Sequence, residues 1–115
     1  MNDYHDRLKA LMDKYVHLVY RVTKKFPRDE LYGVTSQLRR SALSVILNYI
    51  EGFARRRGDD CKVYHNFMEI SYGSLKESKY LLHFSWKEDY LSEKDYNILL
   101  PLAEEIGAML YASMN

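Results

Sequence analysis

Arginine and lysine clusters are the first residues whose types and spacing suggest chemistry. Lys24 and Lys25 sit between Arg21 and Arg28, Arg39 and Arg40 are adjacent, and Arg55, Arg56 and Arg57 run together. Over residues 21–57, arginines outnumber lysines 7 to 2. Guanidinium forks match phosphate oxygens two at a time, so this pattern suits RNA or DNA backbone contact. Two of the clusters fall at expected helix C-termini, where the helix dipole already favours cations. That accounts for a charge or two at each end, but it does not require three consecutive arginines. The residues leave two readings open: phosphate contact, or a solvated and ion-paired surface.

Other chemistry finds less support. Cys61, His65 and Glu69 are all zinc-ligand types, spaced i, i+4, i+8 on one helix face. Their span of about 12 Å exceeds the reach of one ion, so at most a pair can bind. Nucleophile-elbow, phosphate-loop and paired-histidine zinc motifs do not occur. Glu104 and Glu105 are neighbours and point about 100° apart on a helix, so they cannot share a site. Glu51 has no second acid, base or nucleophile placed with it. The expectation is a non-enzyme without a metal or cofactor.

The elements that must carry these residues read as helices. Leu8, Leu11, Tyr15, Leu18 and Val22 step by three or four, predicting a helix from Asn2 or Asp3 to about Lys25. Pro27 ends it, and residues 28–32 read as a turn or short helical bend. Gly33 breaks the chain. Thr35 or Ser36 is expected to cap a second helix, running to about Arg57 with the stripe Leu38, Ala42, Val45, Ile46, Tyr49, Ile50 and Phe53. After a Gly58-Asp59-Asp60 turn, a third helix is expected over residues 61–88. Its stripe includes Val63, Phe67, Ile70, Ser74, Leu75, Leu81 and Leu82, and Ser71, Ser74 and Ser78 permit close approach of a neighbour. Ser92, with Asp95 three residues on, caps a fourth helix that contains Pro101, where a kink is expected. Short connections favour antiparallel neighbours, hence an all-α, up-down four-helix bundle in one domain spanning residues 1–115.

Composition bounds the class. The chain has 115 residues with 2 prolines, 5 glycines and 11 tyrosines, which argues against a linker-rich, many-turned or disordered protein. A chain this short leaves much surface exposed, so assembly would help it. The tyrosines, among them Tyr20, Tyr32, Tyr49, Tyr64, Tyr72, Tyr80 and Tyr90, suit subunit contacts better than base stacking. A lone Cys61 favours a reducing compartment, the start of the chain is acidic, and no apolar run spans a bilayer, so a cytoplasmic location is expected. The net charge of +1 argues against a uniformly basic nucleic-acid coat. Along the chain, however, residues 1–57 hold 12 Lys/Arg against 6 Asp/Glu, and residues 58–115 hold 5 against 10.

Three separated segments carry a family resemblance. Tyr32-Gly33-Val34-Thr35-Ser36-Gln37-Leu38-Arg39-Arg40-Ser41-Ala42 closely resembles the central motif of the proteins encoded in intervening sequences of bacterial 23S rRNA genes. Asn48-Tyr49-Ile50-Glu51-Gly52 matches that family's Asn-Ile-Ala-Glu-Gly element, and Gly73-Ser74-Leu75-Lys76-Glu77 matches its Gly-Ser-Leu-x-Glu element. The spacing also fits, and the resemblance covers nearly the whole chain. Two departures are Ile46, where many relatives carry proline, and Ile50, where they carry alanine.

The family is similar in fold to the accessory variability determinant of diversity-generating retroelements. That resemblance implies a homopentameric barrel, RNA or DNA binding through basic surfaces, and association with a reverse transcriptase. On this basis Lys24, Lys25, Arg39, Arg40, Arg55, Arg56 and Arg57 are the candidate nucleic-acid contacts. Tyr32, Gly33, Gln37, Asn48, Glu51, Gly73 and Ser74 are candidate motif or oligomer contacts. The residues alone add that Gln37, Arg40, Ser41, Ser44, Asn48 and Glu51 form a polar stripe needing partners, in a neighbouring subunit or in the same one. The competing expectation is a structural bundle whose arginines pair with the acidic half of an adjacent copy.

Overall fold

The computed structural model describes residues 3–56 and 61–114. Four helices make up the bundle: α1 (Asp3–Thr23), α2 (Val34–Ala54), α3 (Lys62–Lys87) and α4 (Glu93–Ser113), with a 3-10 turn at Arg28–Glu30. There is no strand among the described residues. No helix among them is long and apolar enough to cross a membrane.

Cross-helix hydrogen bonds fix the direction of each neighbour. Arg39, early in α2, bonds Thr23 at the end of α1, while Tyr49, late in α2, bonds His5. Ser71 donates to the Val45 carbonyl, and Tyr64 donates to the Ser113 carbonyl. Tyr4 donates to the Met109 carbonyl. Each pair runs antiparallel, so the order α1-α2-α3-α4 closes into a square with an up-down path, as expected.

Leu8, Met12, Tyr15 and Val19 of α1 face Leu38, Ala42, Val45 and Tyr49 of α2. Met68, Leu75 and Leu82 of α3, with Leu99, Ile106 and Leu110 of α4, complete the core. Tyr15 reaches across the diagonal to Ser78 at 2.8 Å. Ser78 gives its own proton to the Leu75 carbonyl, so the tyrosine hydroxyl is the donor. Burial pushes the Tyr15 hydroxyl well above its ordinary pKa, keeping it protonated in that role.

The closest pair is α2 with α3. Small residues make this approach feasible. A Cβ on Gly52 would lie 2.6 Å from Met68 Cε and 3.0 Å from Phe67 Cβ. The glycine of the Asn48–Gly52 motif is thus where one helix lies directly against the next.

Several boundaries differ from expectation. Neither Thr35 nor Ser36 caps α2: Gly33 occupies that position, Thr35 is buried in the first turn, and Glu30 Oε1 accepts from the Val34 N–H. The second helix ends at Ala54, short of Arg57, which lies outside the described residues together with Gly58, Asp59 and Asp60. Ser92 does cap α4, accepting from the Asp95 N–H at 3.1 Å. Pro101 sits inside α4 without dividing it, on an exposed position. Val63, Ile70 and Ile50 are off the core face. The α3 stripe that packs inward is Tyr64, Met68, Ser71, Leu75, Ser78, Leu82 and Ser85, with serines where large residues would hold α2 away.

Candidate functional site

The motif segments, far apart in sequence, meet along the outer side of the α2–α3 pair. Gln37, Arg40, Ser41 and Ser44 from α2, with Ser74 and Glu77 from α3, line a groove of about 570 Å³. Ser44 Oγ and Ser74 Oγ are hydrogen bonded at 2.7 Å across the seam. Asn48 Nδ2 donates to Ser44 O and Oγ at 2.8 and 2.9 Å. The polar stripe of α2 therefore finds much of its hydrogen bonding within the same chain. Arg40 and Glu77 border this groove without an ion pair among the described residues.

Farther along the same side, Glu51, Ala54, Arg55 and Val63 line a second groove of about 480 Å³. Glu51 bonds Arg55 Nε at 2.7 Å. Between the grooves, helical spacing places Leu47 one turn from Ser44 and Ile70 one turn from Ser74. Leu47, Ile50, Val63 and Ile70 are 58%, 45%, 43% and 50% exposed. They form an apolar strip edged by Arg40, Glu77, Glu51 and Arg55. Sequence periodicity puts three of these four in the core stripe, because a helix with apolar residues on two faces looks like one broad stripe.

The basic candidates do not converge. Lys24, Lys25 and Arg39 lie at one end of the bundle, and Arg55 and Arg56 lie at the other. Sixteen residues of α2, about 24 Å, separate Arg39 from Arg55. Adjacent residues on a helix point about 100° apart, so Arg39 turns to the α1 seam while Arg40 turns to the α3 groove. Arg39 Nε donates to Thr23 Oγ1 at 2.8 Å, and its guanidinium lies 4.8 Å from the Tyr20 ring centre. Arg56 sits 5.2 Å from the Tyr64 ring centre, and Lys25 approaches Asp95 at 3.8 Å. Lys24 and Arg40 are exposed. The placement of Arg57 falls outside the described residues.

The remaining motif residues are dispersed. Tyr32 is 93% exposed at the turn before α2, and Gly33 packs against Glu30. Gly73 is open: a Cβ added there would meet nothing within 4 Å. Cys61 precedes α3 and accepts the His65 N–H at its carbonyl, while the His65 ring packs edge-on against Tyr64. Glu69 is exposed. The described residues contain no cluster of three metal-ligand types.

One cluster has no sequence signature beyond aromatic content. At the end that carries Arg56, His5 Nδ1 and the Tyr49 hydroxyl are hydrogen bonded at 2.8 Å, and the His5 ring lies 3.7 Å from that of Phe53. Burial first, then Lys9, lower the His5 pKa below 6.5, while Asp6 opposes them. Burial raises the Tyr49 and Tyr64 hydroxyls.

These features define an antiparallel four-helix bundle whose separated motifs meet on one helix pair. Residues 9–112 match the family model of the 23S rRNA-intervening sequence protein, so the chain belongs to that family. Its structure is similar to the crystal structure of a protein of unknown function from the S23 ribosomal protein family of Bacteroides thetaiotaomicron. The two share 16% identity at a TM-score of 0.83, over 94% of this chain and 98% of that one. At that identity the likeness speaks for the fold. No curated protein matches the sequence.

Proposed function

We propose that this protein is a non-enzymatic accessory protein that assembles with copies of itself through the outer α2–α3 face and binds RNA or DNA through its basic ends. The observation that carries the reading is the apolar strip of Leu47, Ile50, Val63 and Ile70, set between two grooves formed by motif residues. Contiguous exposed apolar surface with a polar rim suits a protein partner. A second copy is the occupant we favour, because Arg40 and Glu77 are oppositely charged, on the same rim and without an ion pair among the described residues. A copy docked head to tail on this rim, the kind of contact a closed ring of five requires, can offer each an opposite charge. The family resemblance adds five as the subunit number, closed into a barrel.

Nucleic-acid binding rests on the arginine-rich α1–α2 side. Since its basic groups sit at two ends of each chain, an assembly would gather them into repeated patches. Contacts to phosphate would be largely sequence-independent and would weaken as salt rises. A retroelement role would add a reverse transcriptase as partner, read out as co-purification with this protein.

Sedimentation equilibrium tests the assembly. The parent is expected at about five times the 13.7 kDa chain mass, and Leu47→Glu with Ile70→Glu at the mass of one chain with helical content intact. A parent that stays monomeric at high concentration overturns the assembly reading. RNA binding measured from low to high salt tests the second part, and a flat salt response argues against it. The competing structural reading draws on the Lys25–Asp95 and Arg7–Glu105 pairs, in which residues of the basic half meet carboxylates of the acidic half. It predicts loss of the assembly at high salt and no RNA binding at low salt.

A further inference from the structure

At the junction of α1, the 3-10 turn and α2 there is a cavity of about 260 Å³. Its lining includes Lys24, Arg28 and Arg39 and contains no carboxylate. Lys24 and Arg28 make no ion pair among the described residues. Arg39 is anchored through Nε on Thr23 and through its face on Tyr20, which fixes the guanidinium and keeps its terminal nitrogens for another acceptor.

Thr35 also lines this cavity and is 3% exposed. Its Oγ1 is buried and has no hydrogen-bond partner among the described residues. The other buried hydroxyls are satisfied: Thr23, Ser41, Ser71, Ser78 and Ser85 each donate to a backbone carbonyl. Thr35 is the exception, and an unsatisfied buried hydroxyl in a native fold calls for a reason. It stands in the first turn of α2, at the positive end of that helix dipole, where anions are favoured.

We propose that this cavity seats a single phosphate group, held by Lys24, Arg28 and the free end of Arg39, with Thr35 Oγ1 as a further donor. The proposal deepens the nucleic-acid reading by giving one backbone or terminal phosphate a defined seat. Arg40, Arg55 and Arg56 lie outside it.

Amide and guanidinium NMR of the full chain, titrated with pyrophosphate against chloride at equal ionic strength, tests the seat. Saturable shifts are expected at Lys24, Arg28, Thr35 and Arg39. Arg28→Gln, on an exposed side chain, is expected to weaken pyrophosphate about tenfold. Thr35→Val is expected to weaken it without lowering the melting temperature. Non-saturating shifts, shifts centred on Arg55 and Arg56, or unchanged affinity in both variants overturn the proposal.

RNA separates this outcome from that of the wider reading. A single-stranded RNA carrying a 5′-phosphate and its 5′-hydroxyl twin distinguish a terminal from a backbone phosphate, and either one competing with pyrophosphate supports the seat. RNA that binds undisturbed by saturating pyrophosphate overturns the seat as its contact and leaves nucleic-acid binding standing. Pyrophosphate binding without any RNA binding supports the seat and counts against the wider reading.

Discussion

Thr35 and His5 show how single residues can work against the stability of the fold that holds them. Thr35 Oγ1 is buried on folding and has no hydrogen-bond partner among the described residues. Replacing it with the isosteric valine removes that penalty, so Thr35→Val is expected to stabilise the isolated chain by roughly 1 kcal/mol, read by urea unfolding. His5 has a folded pKa held below 6.5 by burial and Lys9. Between the folded pKa and 6.5 the unfolded chain binds the proton more tightly, so stability is complete above 6.5 and falls on acidification. Thermal melts from pH 7 to 5.5 are expected to show that loss, and His5→Gln is expected to flatten it. Neither effect was legible in the sequence. A threonine near a helix start reads as a cap, and a histidine in a polar N-terminal turn reads as solvated.

At the scale of elements, helix-helix distance explains the motif glycines differently. Gly52 lies where a Cβ would press on Phe67 and Met68. Gly52→Ala gains about 1 kcal/mol of helix propensity but incurs an overpacking cost of about 1–3 kcal/mol, so net destabilisation is expected. Gly73 meets nothing within 4 Å. Gly73→Ala is expected to stabilise the dilute, unassembled chain by roughly 0.5–1 kcal/mol. Denaturant unfolding of both variants checks the contrast, and equal effects would count against the close α2–α3 approach. Four helices and the Ser92 cap were readable from apolar spacing and turn residues. The α2 start was not, because its first N–H is satisfied by Glu30, a residue outside the helix.

For the whole molecule, the basic and acidic halves of the chain do not become two sides of the bundle. Helix α3 holds four lysines against Glu69 and Glu77, α4 holds one lysine against four carboxylates, and much of the positive excess sits at the bundle ends in Lys24, Lys25, Arg28, Arg55 and Arg56. Lys25–Asp95, Lys79–Glu104 and Arg7–Glu105 are ion pairs that involve α4. All include an exposed side chain, so each contributes little to stability. Raising salt is therefore expected to lower the melting temperature only slightly while weakening RNA binding steeply. Parallel melts and anisotropy titrations over one salt series check that separation. A steep drop of both would mean that the basic surface serves folding as well as ligand binding.

The sequence by itself determined the fold class, the helix order and the family, because apolar periodicity and turn chemistry act locally along the chain. It also marked which residues are basic. Only the tertiary structure decided where they go: Arg39 is bound into the α1 seam, Arg40 stands over the motif groove, and Arg55 and Arg56 lie at the far end. Likewise, periodicity found the apolar residues of α2 and α3 but not which of them remain outside. Leu47 and Ile70 are exposed because serines and Gly52 draw the two helices together, which fills the seam with small side chains and turns these larger ones outward.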